Sequence, residues 1–424
     1  MQKIFKNAKI YTLTDNKTSE SFLINDDSIV YVGNENEVLE LKTEDTKVVD
    51  LKNKVVIPTF YCLGINIYLL IEQKLKNAKH HQFIEKTDIF DENYDKFINF
   101  NVYRKEFLKL QDEFLSQGIT TILEVGVSWI EFIFWKKISE SGDLKLDIIG
   151  YVDILKYKQV MDDNCRSYRK YKNHFRLGGY YLKIDGDILN RQAFVSRPLK
   201  GNNLISGYSN VYEEHLNILI KNALEEKKQL VVETNGDAAL DMFLKCFKDN
   251  IKDKKIEDLF RPIVISCNMI ENRQLKILKE LDIAVSFKID NYYNCFKELN
   301  ELLGFFKLKK AIPLKKLQQN NIKVMFNYED NVPNIFKNLL FLSSGLDKNK
   351  RNILKHNKIE LYTAFNLIIA NSAYLCFDSE FKGTIECGKR ADFLVLNKSP
   401  FNDNLESIVV ENVYKDGEEI YNKK

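Results

Sequence analysis

Three short stretches gather ionisable side chains that could do chemistry together: Lys183 and Asp185 in "YLKIDGDILNRQ", Glu233 and Asp237 in "VVETNGD", and Glu329 with Asp330 in "MFNYEDNVP". Collected in one cleft, such carboxylates make a hard, oxygen-rich site for Mg²⁺ or Mn²⁺, or an acid and base pair that needs no metal. Each also has a plainer use. Asp237 can cap the helix that "DAALDMFLKCF" predicts, Asp185 can cap a turn, and Glu233 can pair with Lys183. Cys62 and Cys267 could supply a thiol nucleophile, but none of the five histidines (His80, His81, His174, His215 and His356) is placed to activate either. Buried thiols are the simpler expectation for both.

Something must hold these residues close, and the chain's texture says what. Its two ends are β-rich: "KIFKNAKIYTL", "SFLINDDSIVYVG" and "TKVVDLKNKVVIP" at the front, "ADFLVLNKSPF" and "ESIVVENVYKDGEEIYNKK" at the back. Asp416-Gly417 lies between two apolar runs there as a hairpin turn. Between the ends, strand-like runs alternate with amphipathic helical ones, as in "GITTILEVGV" before "WIEFIFWKKISESG" and "QLVVETNG" before "DAALDMFLKCFKDN". That repetition builds parallel βαβ units. About eight strand candidates with no glycine-rich phosphate loop after the first predict a (β/α)₈ barrel over 58–379, with a small β-sandwich composed of 1–57 and 380–424. A doubly wound open sheet is the alternative.

A barrel of this kind carries function at the C-terminal ends of its strands. The positions so marked are 62–66, Glu124, 183–187, 233–237, 266–268 and 327–330. Phe60, Tyr61, Tyr68, Tyr180, Tyr181 and Tyr328 could line an apolar pocket nearby or belong to the core.

Composition narrows the partners. Of 424 residues, 45% are hydrophobic and 29% charged, which suits a folded, water-soluble protein. Basic and acidic residues number 63 and 60 and are interspersed, so no basic face is expected for nucleic acid. Apolar runs are broken by Pro58 and polar residues, and the start lacks a signal-peptide pattern, so neither a membrane span nor secretion is expected and the cytoplasm is. Seven scattered cysteines without a C-x-x-C pair predict neither disulfides nor a structural zinc site.

The chain resembles the amidohydrolase superfamily, in the branch of N-substituted formamide deformylase-like proteins. The carrying segments are "KNAKIYTL…TKVVDLKNKVVIPTF" at the front, "SQGITTILEVG", "LKIDGDILNRQAF" and "QLVVETNGDAALDMFL" in the middle, and "GTIECGKRADFLVLNKSPF" at the back. The last matches the family's closing run through Gly383, Ile385, Gly388, Lys389, Ala391 and Asp392. The resemblance implies a metal-dependent hydrolase of C–N bonds. In that family a divalent cation activates water, held by His-x-His after strand one, a Lys (often carbamylated) or Glu on strand four, a His on each of strands five and six, and an Asp on strand eight.

At the matching positions this chain has Gly64 and Asn66, Lys183, Glu233, Ser266 and Tyr328, and Cys62 stands where an acidic residue is common. Both imidazoles of the first pair are gone, and so are the later ones. The first expectation is therefore a barrel that kept the fold and lost the metal-water machinery, with no cofactor and with Lys183 and Glu233 forming a dry salt bridge in the old site. It would bind a small molecule or pair with a partner, a homo-oligomer being expected by analogy. The alternative is an active hydrolase of a small amide-type substrate with a rebuilt site. There Lys183, Asp185, Glu233 and Glu329 would be catalytic, with Zn²⁺, Mn²⁺ or Mg²⁺ as the cation.

Overall fold

A computed structural model describes residues 1–14, 18–77, 100–201, 206–251, 260–267, 269–308, 311–328 and 331–423. Eight parallel strands close into a barrel: Phe60–Leu63, Ile119–Val127, Asp147–Asp153, Phe175–Lys183, Leu230–Glu233, Ile263–Ile265, Ala284–Lys288 and Val324–Asn327. Asn327 pairs with Leu63 to shut the ring. No open sheet edge remains in the barrel, which settles the choice against a doubly wound sheet.

Alternation along each strand sorts the side chains. Leu123, Ile149, Val231, Ile265 and Met325 fill the interior, while their neighbours Ile122, Ile148, Val232 and Val264 face the surrounding helices. Because both faces are covered, the strands read as continuous apolar runs. The helix Trp129–Ser141 shows how locally its ends are set. Ser128 and Glu131 form a capping box at its start, and Gly142, in the left-handed region at φ 77°, stops it.

Both termini combine in a second, mixed sheet. Its strands run, side by side, Glu418–Asn422, Val410–Lys415, Phe393–Leu396, Lys47–Pro58, Gln2–Tyr11, Ser21–Asn25 and Ser28–Gly33, with Thr18–Ser19 beside Gln2–Tyr11. The sheet is rolled. Phe22 and Phe393 lie three strands apart, roughly 14 Å in a flat sheet, yet their ring centroids are 4.9 Å apart. Phe5 and Tyr414 meet across the same fold at 5.1 Å. The predicted Asp416-Gly417 turn is present, with positive φ at both residues (52° and 76°), as a tight two-residue hairpin requires.

A knot of buried charge joins this sheet to the N-terminal end of the barrel. Asp147, at the start of the third barrel strand, meets Lys382 at 2.6 Å, Lys415 at 2.7 Å, His174 at 2.9 Å and Arg390 at 3.3 Å. Asp378 takes Arg176 at 2.8 Å and Lys382 at 3.4 Å. Burial would raise the Asp147 carboxyl, but the lysines, His174 and Arg390 outweigh it and hold it well below the usual carboxylate range. No helix among the described residues is long and apolar enough to cross a membrane.

Candidate active site

The opposite end of the barrel carries the positions that the sequence marked. Strand parity decides which side chains point inward: counting by twos from the interior residues Tyr181, Val231, Ala284 and Met325 reaches Lys183, Glu233, Lys288 and Asn327 as the last inward residues of their strands. These four cap the packed interior, and Ser266 follows the sixth strand beside them.

Glu233 is the centre of the group. Its carboxylate lies 3.3 Å from Lys183 Nζ and 3.7 Å from Lys288 Nζ. Asn235 Nδ2 donates to it at 3.1 Å, and the Tyr181 hydroxyl donates to its other oxygen. Burial alone would push its pKa up, but Lys288, Lys183 and the two donors reverse this and hold the carboxylate below its ordinary value. Lys288 is 3% exposed and also meets Asp187 at 3.1 Å. The Lys183–Glu233 pair is therefore present, but it is not dry. The Lys183 side chain is 41% exposed, and the desolvated ammonium is Lys288.

Lys288 was not singled out from the sequence. The family pattern draws nothing from the seventh strand, so the lysine ending "IAVSFK" passed as a strand terminus. A lysine closing the inward series Ala284, Ser286, Lys288, between the outward Val285 and Phe287 and the helix that follows, is the signal the sequence offers.

The other ligand positions are filled by neutral groups that satisfy one another. Asn327 accepts from Ser286 Oγ at 2.9 Å and from the Ser266 amide at 3.3 Å, and its Nδ2 donates to Ser266 Oγ at 3.2 Å. Gly64 sits at φ +89°, and a Cβ there would stand 3.1 Å from Asn327 Cβ and 3.2 Å from the Tyr328 carbonyl. An imidazole at this position and Asn327 compete for the same space. Asn66 has turned to the helix behind it: Oδ1 accepts from the Leu69 amide at 2.9 Å, capping Ile67–Asn77, and Nδ2 donates to Glu131 at 2.9 Å. Tyr328 packs its ring in the layer between the strands and the surrounding helices, 1% exposed.

Asp185 and Asp237 serve the backbone. Asp185 accepts from the amides of Asn235, Gly236 and Phe194 at 2.7 to 2.8 Å, and burial nevertheless pushes its pKa up to about 6. Asp237 opens its helix and accepts from the amide and hydroxyl of Ser196. Neither reaches the Glu233 group as a free acid or base. Glu329 and Asp330, with Asn268, His80 and His81, lie outside the described residues.

Glu124 faces outward from the second strand against the Tyr68 amide, and burial, with Glu131 nearby, raises its pKa well above the ordinary carboxylate value. Cys62 and Cys267 are buried, and burial raises both thiols, Cys267 to about 12, which disarms them as nucleophiles. Of the aromatics, Tyr61 and Tyr181 fill the barrel interior, while Phe60, Tyr68 and Tyr180 pack outside it.

These residues do not fit a tightly held divalent metal. Two of the ligand positions are a glycine and a helix cap, a third is a serine already bonded to Asn327, and an ammonium stands beside the one carboxylate. Among the described residues no group of three or more His, Cys, Asp or Glu side chains could hold such an ion.

The barrel with its rolled terminal sheet is the architecture of known metal-dependent hydrolases. A crystal structure of an uncharacterized metal-dependent hydrolase from Pyrococcus horikoshii OT3 superposes with TM-score 0.80 at 18% identity, covering 96% of this chain and 99% of that one. An uncharacterized metal-dependent hydrolase from Pyrococcus furiosus gives 0.79 at 17%, covering 95% and 100%. These similarities concern the fold. In sequence, the profile of the amidohydrolase family matches residues 81–421, and the chain belongs to that family. A putative amidohydrolase, YtcJ, of Bacillus subtilis (strain 168) is 23% identical over 233 residues. That match covers 54% of this chain and 43% of the length of the curated relative.

Proposed function

We propose that this chain is an amidohydrolase-fold protein that works without the metal-activated water, as a binding protein for a small molecule. Its ancestry lies in the formamide deformylase-like branch, whose members cleave C–N bonds; the reading keeps that lineage and sets aside that reaction. The observation that carries it is Lys288, whose ammonium lies 3.1 Å from Asp187 and 3.7 Å from Glu233. It supplies from within the chain the positive charge that a metal would bring, and an ammonium cannot lower the pKa of a bound water as a Lewis acid does. The neutral set of Gly64, Ser266 and Asn327 supports the same reading. We place the protein in the cytoplasm, as a homo-oligomer, with neither nucleic acid nor membrane as partner.

The test is metal content. Full-length protein purified without chelator should carry zinc, manganese and magnesium well below one ion per chain by mass spectrometry of the elements. Near-stoichiometric metal, lost with hydrolytic activity on a simple N-substituted formamide when a chelator is added, would overturn the reading in favour of a rebuilt hydrolase.

A further inference from the structure

We propose that the N-terminal face of the barrel, opposite the Glu233 group, binds a small soluble anion carrying several phosphates, along a ladder of alternating cations and aromatic rings. The rungs run Lys228, Tyr168, Arg169, Phe377, Arg261, Tyr374 and Lys323. Lys228 Nζ lies 3.9 Å from the Tyr168 ring centroid, and the Arg169 guanidinium carbon lies 4.8 Å from the same ring and 3.3 Å from that of Phe377. Arg261 follows at 4.4 Å from Phe377 and 3.7 Å from Tyr374, and Lys323 Nζ closes the row 5.2 Å from Tyr374. Every step lies within the reach of a cation–π contact. The inference is independent of the reading above, which concerns the other end of the barrel.

The row is held by the barrel itself. Tyr168 and Arg169 precede the fourth strand, Lys228 the fifth, Arg261 the sixth and Lys323 the eighth, while Tyr374 and Phe377 come from the helix Ala370–Leu375 and the turn after it. The Tyr168 hydroxyl donates to the Lys227 carbonyl and accepts from the Gln229 amide, both at 3.1 Å. The Arg169 amide donates to the Leu177 carbonyl at 2.8 Å, and Arg261 Nη1 donates to the Tyr374 carbonyl. Lys323 is exposed and the other six are half-buried. Because the cations come from four separate loops, the mixed charge of the sequence conceals them.

Four positive charges in one row point to an anion. Acids that border the row serve another base: Asp162 and Glu226 both meet Lys158 at 2.8 Å, and Asp378 meets Arg176 at 2.8 Å. Residues 252–259, just before Arg261, lie outside the described residues; they contain Lys252, Lys254 and Lys255 with Asp253, Glu257 and Asp258, and so add no net charge to the face. Burial lowers the Arg169 pKa, and Arg176 and Arg261 lower it further against Tyr168 and Tyr151, a crowding of like charge that a bound anion relieves. The geometry favours phosphate. A separation of 3.3 Å is face contact between the Arg169 guanidinium and Phe377, which puts the planar N–H fork at the rim, where it matches two oxygens of one phosphate. Successive cations are one ring apart, so an anion with several charges spans them where a single phosphate does not. Each ring already carries two cations, whereas single-stranded nucleic acid stacks its bases on open aromatic faces, which favours the small anion.

The experiment titrates the full-length protein with inorganic triphosphate by calorimetry in about 0.1 M NaCl, with thermal shift alongside. Orthophosphate is the single-phosphate control, and oligo-dT and vesicles of phosphatidylglycerol with phosphatidylcholine are the macromolecular alternatives. Triphosphate should bind in the micromolar range, at least about tenfold tighter than orthophosphate, and should weaken as salt rises. Arg169→Gln and Arg261→Gln should each cost about tenfold in affinity, and Lys323→Gln about threefold with no change in melting temperature. Lys170→Gln, next to Arg169 in sequence but not one of the rungs, should leave the affinity unchanged, and Glu257→Gln with Asp258→Asn should leave it the same or tighter. Lys323 and Lys170 are both exposed, so these two variants decide the matter even where an arginine variant fails to fold. The proposal is overturned if triphosphate binds no tighter than orthophosphate, if Lys170→Gln weakens binding as much as Lys323→Gln, if removing the two acids weakens it, or if oligo-dT or the vesicles bind more tightly than triphosphate.

Discussion

At the N-terminal end of the barrel Asp147 is 1% exposed and ringed by Lys382, Lys415, Arg390 and His174; at the C-terminal end Glu233 is 3% exposed and meets Lys288, Lys183, Asn235 and Tyr181. Both ends bury a carboxylate among cations, and each set has one member at the surface, His174 at 38% and Lys183 at 41%. They differ in how many ammoniums are buried with the carboxylate: Lys382 and Lys415 at the first end, Lys288 alone at the second. The set with more buried charge tolerates a vacancy less. The lesson is that similar sets of residues are a fastening in one place and an adaptable floor in the other.

The largest effect should therefore follow Asp147→Asn, which takes from the buried Lys415 its carboxylate at 2.7 Å and leaves Lys382 only Asp378 at 3.4 Å. We expect a loss of about 3–5 kcal/mol in urea unfolding. A loss below about 1 kcal/mol would mean that the two buried lysines at the N-terminal end are no costlier to leave than the single one at the other, and would break the comparison. Next comes Lys288→Met, which leaves Glu233 buried with only Lys183 opposite. The expected cost is about 1–3 kcal/mol, and Lys288→Met with Glu233→Gln should recover most of it, because the uncompensated charge is gone.

Acid titration sharpens the contrast. Asp147 and Glu233 both have folded pKa values below their unfolded ones, so the stability they give is present above about pH 4 and lost as pH falls through the folded values. Asp185 runs the other way. With its folded pKa raised to about 6, it favours the folded state while protonated and withdraws that favour as pH rises from about 4 to 6. Urea midpoints measured from pH 3 to 7 should rise steeply at the acid end and flatten through that interval, and Asp147→Asn should remove more of the acid limb than Glu233→Gln. The smallest effect belongs to Lys183→Met. A half-exposed ammonium whose partner keeps Lys288 should cost less than about 1 kcal/mol.

The barrel was legible in the sequence because its signals are local and repeated: apolar runs, amphipathic helices, and turns such as Asp416-Gly417 each speak for their own neighbourhood. Strand ends followed from the same reading, which is why Gly64, Lys183, Glu233, Ser266 and Tyr328 fall at the barrel's C-terminal end. What could not be read was which of these residues engage one another. Lys288 joins Asp187 across 101 positions of chain, and Asn327 fills the room left by Gly64 from 263 positions away. Such pairings depend on barrel closure and inward parity together, and no local window contains both. Asn66 shows a further limit: a residue placed in line with a ligand turned out to face the helix behind it, because capping needs an acceptor at that position.

The reach of Lys415 has a consequence for how the protein is made. Its ammonium comes from the last hairpin yet lies 2.7 Å from Asp147, and Lys3 of the first strand bonds the Gly417 carbonyl at 2.9 Å. A ribosome delivers the barrel strands well before residue 415, so a nascent chain must wait with Asp147 short of one of its two buried lysines and with the side of Lys47–Pro58 that later takes Phe393–Leu396 open. Completion of the terminal sheet, and of the charge set that fastens it to the barrel, is thereby tied to arrival of the tail.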